Sequence, residues 1–270
     1  MAPASPHAPA HVRRARVVFL FGLLAWLVGG CAYLPRATQR PVPTVGSPGA
    51  GAPTASTLVV FLPGRGDRME DFERHGLSGE LSRAGVRADW ISVDAHLGYY
   101  RERSVVDRLR EDVIAPARAR GYRRIVFVGI SLGGLGGLLY ERDQPRQIDA
   151  LVLIAPYLGQ NQKHFAEITA AGGPVAWAAA HTDAKGEVEM ELWTFLGSRH
   201  GSLPPTWLAY GESDRFAVGH RLLSPLLARE RVLTQPGGHD WTTWQSLWQQ
   251  LCHRSALFAE EKKSTTTKQR

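Results

Sequence analysis

The stretch FVGISLGGLGGLLY, residues 127–140, joins two apolar segments through a single hydroxyl. The first segment, preceded by RRIV, is a short run rich in Val and Ile of the kind that forms a buried strand. The second is a longer Leu and Gly run that resumes at once after the serine. Ser131 stands between Gly129 and Gly133 at the junction. A hydroxyl buried there without a partner costs about 1–3 kcal/mol, so Ser131 is expected to point out of the core. Glycine on each side fits a turn in which neighbouring main chain comes too close for side chains. Strand, sharp turn and helix are therefore expected, with the hydroxyl either a nucleophile or a residue that caps the helix.

Around this junction short apolar runs alternate with longer helical patterns. TLVVFL (57–62), ADWISV (88–93), RRIVFVG (123–129), ALVLIA (150–155), TWLAYG (206–211) and RVLTQP (231–236) read as strands. The intervening SVVDRLREDVIAPARARG (104–121) carries Val105, Val106, Leu109, Val113 and Ile114 at helical spacing, with Gly121 as a stop. The alternation predicts an α/β fold, a mostly parallel doubly wound sheet of about six strands with helices on both faces. Ligands of such sheets bind beyond the carboxyl ends of the strands, so residues just after each run are the ones to inspect.

A serine hydroxyl is a weak nucleophile at neutral pH and needs a positioned base, itself oriented by an acid. Two strand ends supply them. Asp214 follows the fifth run in WLAYGESDRF, and His239 follows the sixth in QPGGHDWTTW. Each has a plainer reading, Asp214 as a helix cap and His239 as a polar turn residue. Glu212 and Asp240 are alternative acids, although Asp240 adjoins His239 and has the position of an N-cap for the last helix.

GISLG, residues 129–133, followed by Asp214 and His239 in that order, resembles the nucleophile elbow and triad of the α/β-hydrolase family. The resemblance spans residues 58–248. It implies Ser131 as nucleophile, His239 as base, Asp214 as the orienting acid, and no metal or organic cofactor. It also implies an oxyanion hole built from the N–H of Leu132 and, in FLPGRGDRMEDF (61–72), the N–H of Arg65, or of Gly66 if the turn is one residue longer. Pro63 stands where many relatives have histidine. The reaction implied is cleavage of a small or medium acyl ester through an acyl-enzyme. An acyltransferase or thioesterase with the same triad, or a non-catalytic binding lipoprotein of the same fold, are the alternatives. Against the family the chain is short, so one or two leading antiparallel strands are either missing or concealed upstream. The stretch between Tyr157 and Pro205 is too short for a large lid and is expected to form one or two helices over the site. Tyr99, Tyr100, Tyr157 and Trp241, just after strand ends, are candidates for an acyl pocket or for core packing.

The N-terminus carries a separate pattern. In VRRARVVFLFGLLAWLVGGCAYLP, Arg13, Arg14 and Arg16 precede an apolar run from Val17 to Val28 that is shorter than the ~20 residues of a spanning helix. LVGGC resembles the lipobox of bacterial lipoproteins, which implies a signal peptide over residues 1–30, lipidation at Cys31 and membrane attachment through that lipid. Ala32 after the cysteine favours the outer membrane in Gram-negative cells, giving a cell-envelope protein facing the periplasm. Residues 31–56, rich in Pro, Gly, Thr and Ala, read as a lipidated end and flexible tether, 57–258 as the hydrolase domain, and 259–270 as a polar tail.

With 270 residues and 44% hydrophobic content, the chain suits one sizeable core. Its formal net charge of +7 raises nucleic acid as a partner. The arginines are scattered, however, and no nucleic-acid-binding motif accompanies them, so no such partner is expected. Cys31 and Cys252 are the two cysteines, too few for a disulfide framework, and Cys252 reads as a buried apolar residue. Asp94 and His96 in VDAHLGYY lack a third ligand at the spacing of a metal site.

Overall fold

The computed structural model describes residues 36–48, 51–182 and 186–258. The signal peptide, Cys31 and the tail from 259 expected from the sequence lie outside the described residues. Seven strands are described: β1 (Thr44–Ser47), β2 (Thr57–Leu62), β3 (Asp89–Val93), β4 (Arg124–Ile130), β5 (Ala150–Ile154), β6 (Thr206–Gly211) and β7 (Val232–Gln235). They form one sheet in the order β1-β3-β2-β4-β5-β6-β7. All neighbours pair parallel except β1, which runs antiparallel to β3.

Every residue of β2, β4, β5 and β6 is buried. That explains why the strands read as continuous apolar runs: both faces of the sheet are covered, so neither set of alternating side chains meets water. Along each strand the two sets go to different cores. Leu58, Val60, Leu62, Phe127, Leu151 and Leu153 join one, and Val59, Phe61, Val126, Val128, Val152 and Ile154 join the other.

Eight helical elements matter for the site: α1 (Leu77–Arg83), α2 (residues 105–119, π-helical over Leu109–Ile114), α3 (Leu132–Asp143), α4 (Gln162–Ala170), α5 (Pro174–Ala180), α6 (Val188–Arg199), α7 (Ala217–Leu223) and α8 (Trp241–Cys252). The first core takes Val105, Leu109 and Val113 of α2 with Leu135, Leu138 and Leu139 of α3. The second takes Leu77 and Leu81 of α1 with Trp244, Leu247, Trp248 and Leu251 of α8. Burial of a side chain of that size contributes about 1.5–3 kcal/mol, which makes these two layers the main source of stability. Between β5 and β6 the described residues form three α-helices, α4 to α6, where the sequence suggested one or two.

The flexible tether expected over 31–56 needs correction at residues 36–48. Residues 36–48 are packed onto the domain, and they supply the leading antiparallel strand as β1. Arg36 makes a two-pronged ion pair with Asp94, at 2.7 and 3.0 Å. The Gln39 N–H donates to the Tyr99 hydroxyl (2.9 Å), the Val42 N–H donates to Asp112 Oδ2 (2.9 Å), and the Val42 side chain is buried. Prolines are tolerated here because an edge strand leaves one row of backbone groups unpaired. Gly46 is required for contact: a Cβ there would run into the Trp90 carbonyl of β3.

Candidate active site

The elbow forms where β4 ends. Ser131 has φ 52° and ψ −112°, a left-handed conformation that a non-glycine residue holds only when its surroundings enforce it. Main-chain bonds do so. Ser131 N–H donates to the Ile154 carbonyl (3.0 Å), and its own carbonyl accepts from Gly134 N–H (3.0 Å) and Tyr157 N–H (2.8 Å). Both flanking glycines are obligatory, since a Cβ at Gly129 would collide with the Gly133 carbonyl and one at Gly133 with the Leu62 carbonyl. The Ser131 side chain makes no capping bond to α3, which removes the helix-cap reading.

His239 instead lies against this hydroxyl. Its Nε2 is 2.9 Å from Ser131 Oγ, and its Nδ1 is 2.8 Å from Asp214 Oδ2. With Nδ1–H donating to the carboxylate, Nε2 keeps its lone pair and accepts the serine proton. Asp214 Oδ1 accepts the Phe216 N–H at 2.8 Å, so both carboxylate oxygens are held. Burial alone would raise this carboxyl, but the bonds from His239 and Phe216 outweigh it and hold Asp214 below the ordinary aspartate range. Phe216 and Trp244 present themselves edge-on to the His239 ring at 4.9 and 5.0 Å between centroids. Of the alternative acids, Asp240 accepts from Thr243 N–H as the N-cap of α8, and Glu212 is exposed.

The two residues expected from sequence to supply the oxyanion hole sit in segments that adjoin the serine. Leu132 is the first residue of α3, where a main-chain N–H has no partner within the helix. Arg65 lies in the loop after β2, and the preceding Gly64 packs beside the elbow, its absent Cβ 3.5 Å from Ser131 Cβ.

The four pocket candidates part company. Tyr100 and Tyr157 line a cavity of about 600 Å³ together with Leu132, Leu135, Leu139 and Leu192. The Tyr100 hydroxyl donates to the Leu132 carbonyl (3.0 Å) and that of Tyr157 to Glu189 Oε1 of α6 (2.6 Å). Burial raises both phenols above the ordinary tyrosine value, and for Tyr157 the Glu189 bond adds to it. Tyr99 is instead a core residue bonded to Gln39, and Trp241 does not line the cavity. Asp94 is taken by Arg36, and His96 Nδ1 accepts from Gly98 N–H at the start of the next helical turn. Cys252 is buried on α8, where burial raises its thiol.

Two groups near the site had no sequence signal. His220 of α7 is fully buried and donates from Nε2 to the Pro156 carbonyl (2.8 Å), immediately before Tyr157. Burial pushes it down to about 4, which makes it a neutral ring at neutral pH. Asp67 accepts the indole N–H of Trp241 at 3.2 Å. Both pairings link residues remote in sequence, so no spacing rule finds them.

A family profile described as the alpha/beta hydrolase family matches residues 59–264. The chain belongs to that family. No curated protein sequence matches it significantly. Among solved structures it is similar to a ferulic acid esterase, at 16% identity and TM-score 0.52 over 77% of this chain and 86% of that one. It is also similar to S-formylglutathione hydrolase from Staphylococcus aureus (12%, 0.50, covering 81% and 97%) and to Est1E from Butyrivibrio proteoclasticus (14%, 0.50, covering 78% and 90%). At these identities the likeness is one of fold.

Proposed function

We propose that this alpha/beta hydrolase is a serine esterase that cleaves a small or medium acyl ester through an acyl-enzyme. The observation that carries the reading is the unbroken hydrogen-bond chain from Asp214 through His239 to Ser131, assembled from the ends of three strands. As Ser131 Oγ attacks the ester carbonyl carbon, its proton passes to His239 Nε2. Asp214 holds the imidazole in the right tautomer and stabilises the imidazolium. The charge that grows on the carbonyl oxygen is met by the N–H groups of Leu132 and Arg65, each such donor being worth about 10²–10³ in turnover. The imidazolium then protonates the departing alcohol, and water repeats the sequence on the acyl-enzyme to release the acid.

The cavity supports the substrate size. Its Leu132, Leu135, Leu139 and Leu192 walls suit an acyl chain, and ~300–1,000 Å³ is the usual range for small-molecule sites. Attachment to the cell envelope through a lipid on Cys31 is a further part of the proposal and rests on the LVGGC motif. Palmitate labelling that persists in Cys31→Ser would remove that part.

The test is a series of p-nitrophenyl esters and matched thioesters. The reading expects the highest kcat/KM at acyl chains of about four to eight carbons, in keeping with a pocket of this size. Faster turnover of the thioesters would move the assignment to a thioesterase. A product formed with an added alcohol in place of water would move it to an acyltransferase.

A further inference from the structure

Trp241 stands two residues beyond the base His239, with its neighbour Asp240 capping the helix, yet it does not line the acyl cavity. Its ring stacks on His75, at 4.1 Å between centroids and 8° between planes, and meets Phe72 and Trp244 edge-on at 5.8 and 5.2 Å. Trp244 in turn packs edge-on against His239. The indole N–H is spent on Asp67, 174 positions earlier in the chain.

Asp67 belongs to the same loop as Arg65. Its N–H donates to the Gly64 carbonyl at 3.2 Å, and its Oδ2 fills the space where a Gly64 Cβ would stand, directly beside Ser131. The carboxylate is half-buried. Burial raises it above the ordinary aspartate value, and the Trp241 bond only partly offsets that. Desolvating a carboxylate is costly, and the bond from Trp241 recovers part of that cost.

We propose that Asp67 is a positioning residue, which through Trp241 locks the loop bearing the Arg65 N–H to the segment bearing His239, so that oxyanion donor and base keep a common geometry around Ser131. The proposal rests on the esterase reading above. Its consequence falls on the transition state rather than on substrate binding, because the bond touches neither the cavity nor the acyl chain.

The experiment measures kcat, KM and the affinity for phenylboronic acid, whose tetrahedral serine adduct places an oxygen where the oxyanion forms. Full-length protein is used, with thermal unfolding as the check on folding. Asp67→Ala is expected to lower kcat about tenfold with KM nearly unchanged, as a small misplacement of a catalytic group does, and to weaken boronate binding by the same factor. Trp241→Phe keeps the ring, deletes only the donor, and is expected to do the same. The double variant is expected to be no worse than either single one, since both remove one bond. Asp67→Asn keeps an acceptor oxygen and is expected to restore most of the activity. Normal kcat in folded Trp241→Phe or Asp67→Ala, a rise in KM at unchanged kcat, or an Asn variant as poor as Ala would overturn the role. Ser131→Ala assayed alongside separates the failures: if it still hydrolyses ester, the triad reading falls and this proposal with it, whereas an inactive Ser131→Ala beside normal Asp67 variants removes the positioning role alone.

Discussion

The N–H of Tyr157 donates to the carbonyl of Ser131 at 2.8 Å, which makes the exit of β5 and the nucleophile turn one mechanical unit. The same residue reaches away from the turn through its phenol, bonded to Glu189 on α6. Tyr157 thereby connects the Ser131 turn to α6, which lines the cavity.

Because these two contacts use different parts of Tyr157, they separate by mutation. Tyr157→Phe keeps the main-chain bond and the ring but frees Glu189. It is expected to leave kcat within a few-fold, to broaden the acyl-length profile as α6 loosens, and to cost about 1.5–3 kcal/mol for a lost bond to a charged group. The chain-length series and a urea unfolding curve check it. A profile identical to wild type would show that α6 is held by other contacts.

The proposed triad gives the two aspartates beside the histidine different work. Asp214→Asn, which removes the charge that selects the tautomer, is expected to lower kcat by about 10⁴ with little loss of stability. Asp240→Asn leaves the relay untouched and weakens at most the cap of α8, a change of about 1 kcal/mol or less. Steady-state kinetics and thermal unfolding on the pair would show the opposite ranking if Asp240 were the acid.

Gly133→Ala tests the backbone crowding at the turn. The new methyl would meet the Leu62 carbonyl of β2, which has no freedom to withdraw from the sheet. A loss of about 3 kcal/mol or more is expected, at the upper end of overpacking costs. Denaturant unfolding measures it, and a neutral result would mean that β2 and α3 do not approach this closely.

His220 sets an acid-side slope in stability. Its folded value, pushed down to about 4, lies below the ordinary 6.5, so the unfolded chain binds the extra proton first as pH falls. The stability held by the neutral ring is therefore complete above about pH 6.5 and is lost on the way down to about pH 4, at up to about 1.4 kcal/mol per pH unit. Asp214, held low by His239 and Phe216, adds a loss that begins only below the ordinary aspartate value. Urea midpoints of wild type and His220→Gln between pH 7 and pH 4 check this, the variant being expected to show the shallower slope. Parallel slopes would mean that His220 titrates normally.

What the sequence made legible and what it concealed have a common cause. GISLG announced the elbow because glycines there are forced by contacts that recur at fixed spacing, and β2, β4, β5 and β6 were readable because burial on both faces leaves unbroken apolar runs. Asp214 and His239 stand out in the sequence because strand ends of this architecture face a common edge. β1 was concealed: TVGS has two exposed and two half-buried residues and no alternation, and it is held by pairing with β3, from Thr44 opposite Val93 to Ser47 opposite Trp90. Trp241 reads from sequence as a candidate for the acyl pocket or for core packing, because its position after a strand end is visible while the direction of its ring is not; His75 and Asp67 decide that direction.

The central claim is that Ser131 is activated by His239, and fluorophosphonate labelling followed by peptide mapping tests it most directly. The account predicts a single adduct on Ser131 in the wild type. Labelling and ester hydrolysis should both be lost in folded Ser131→Ala and in His239→Ala, with the double variant no worse than either, because nucleophile and base act as one unit. An adduct on another serine, or undiminished hydrolysis by folded Ser131→Ala, would contradict it and return Ser131 to the role of a turn.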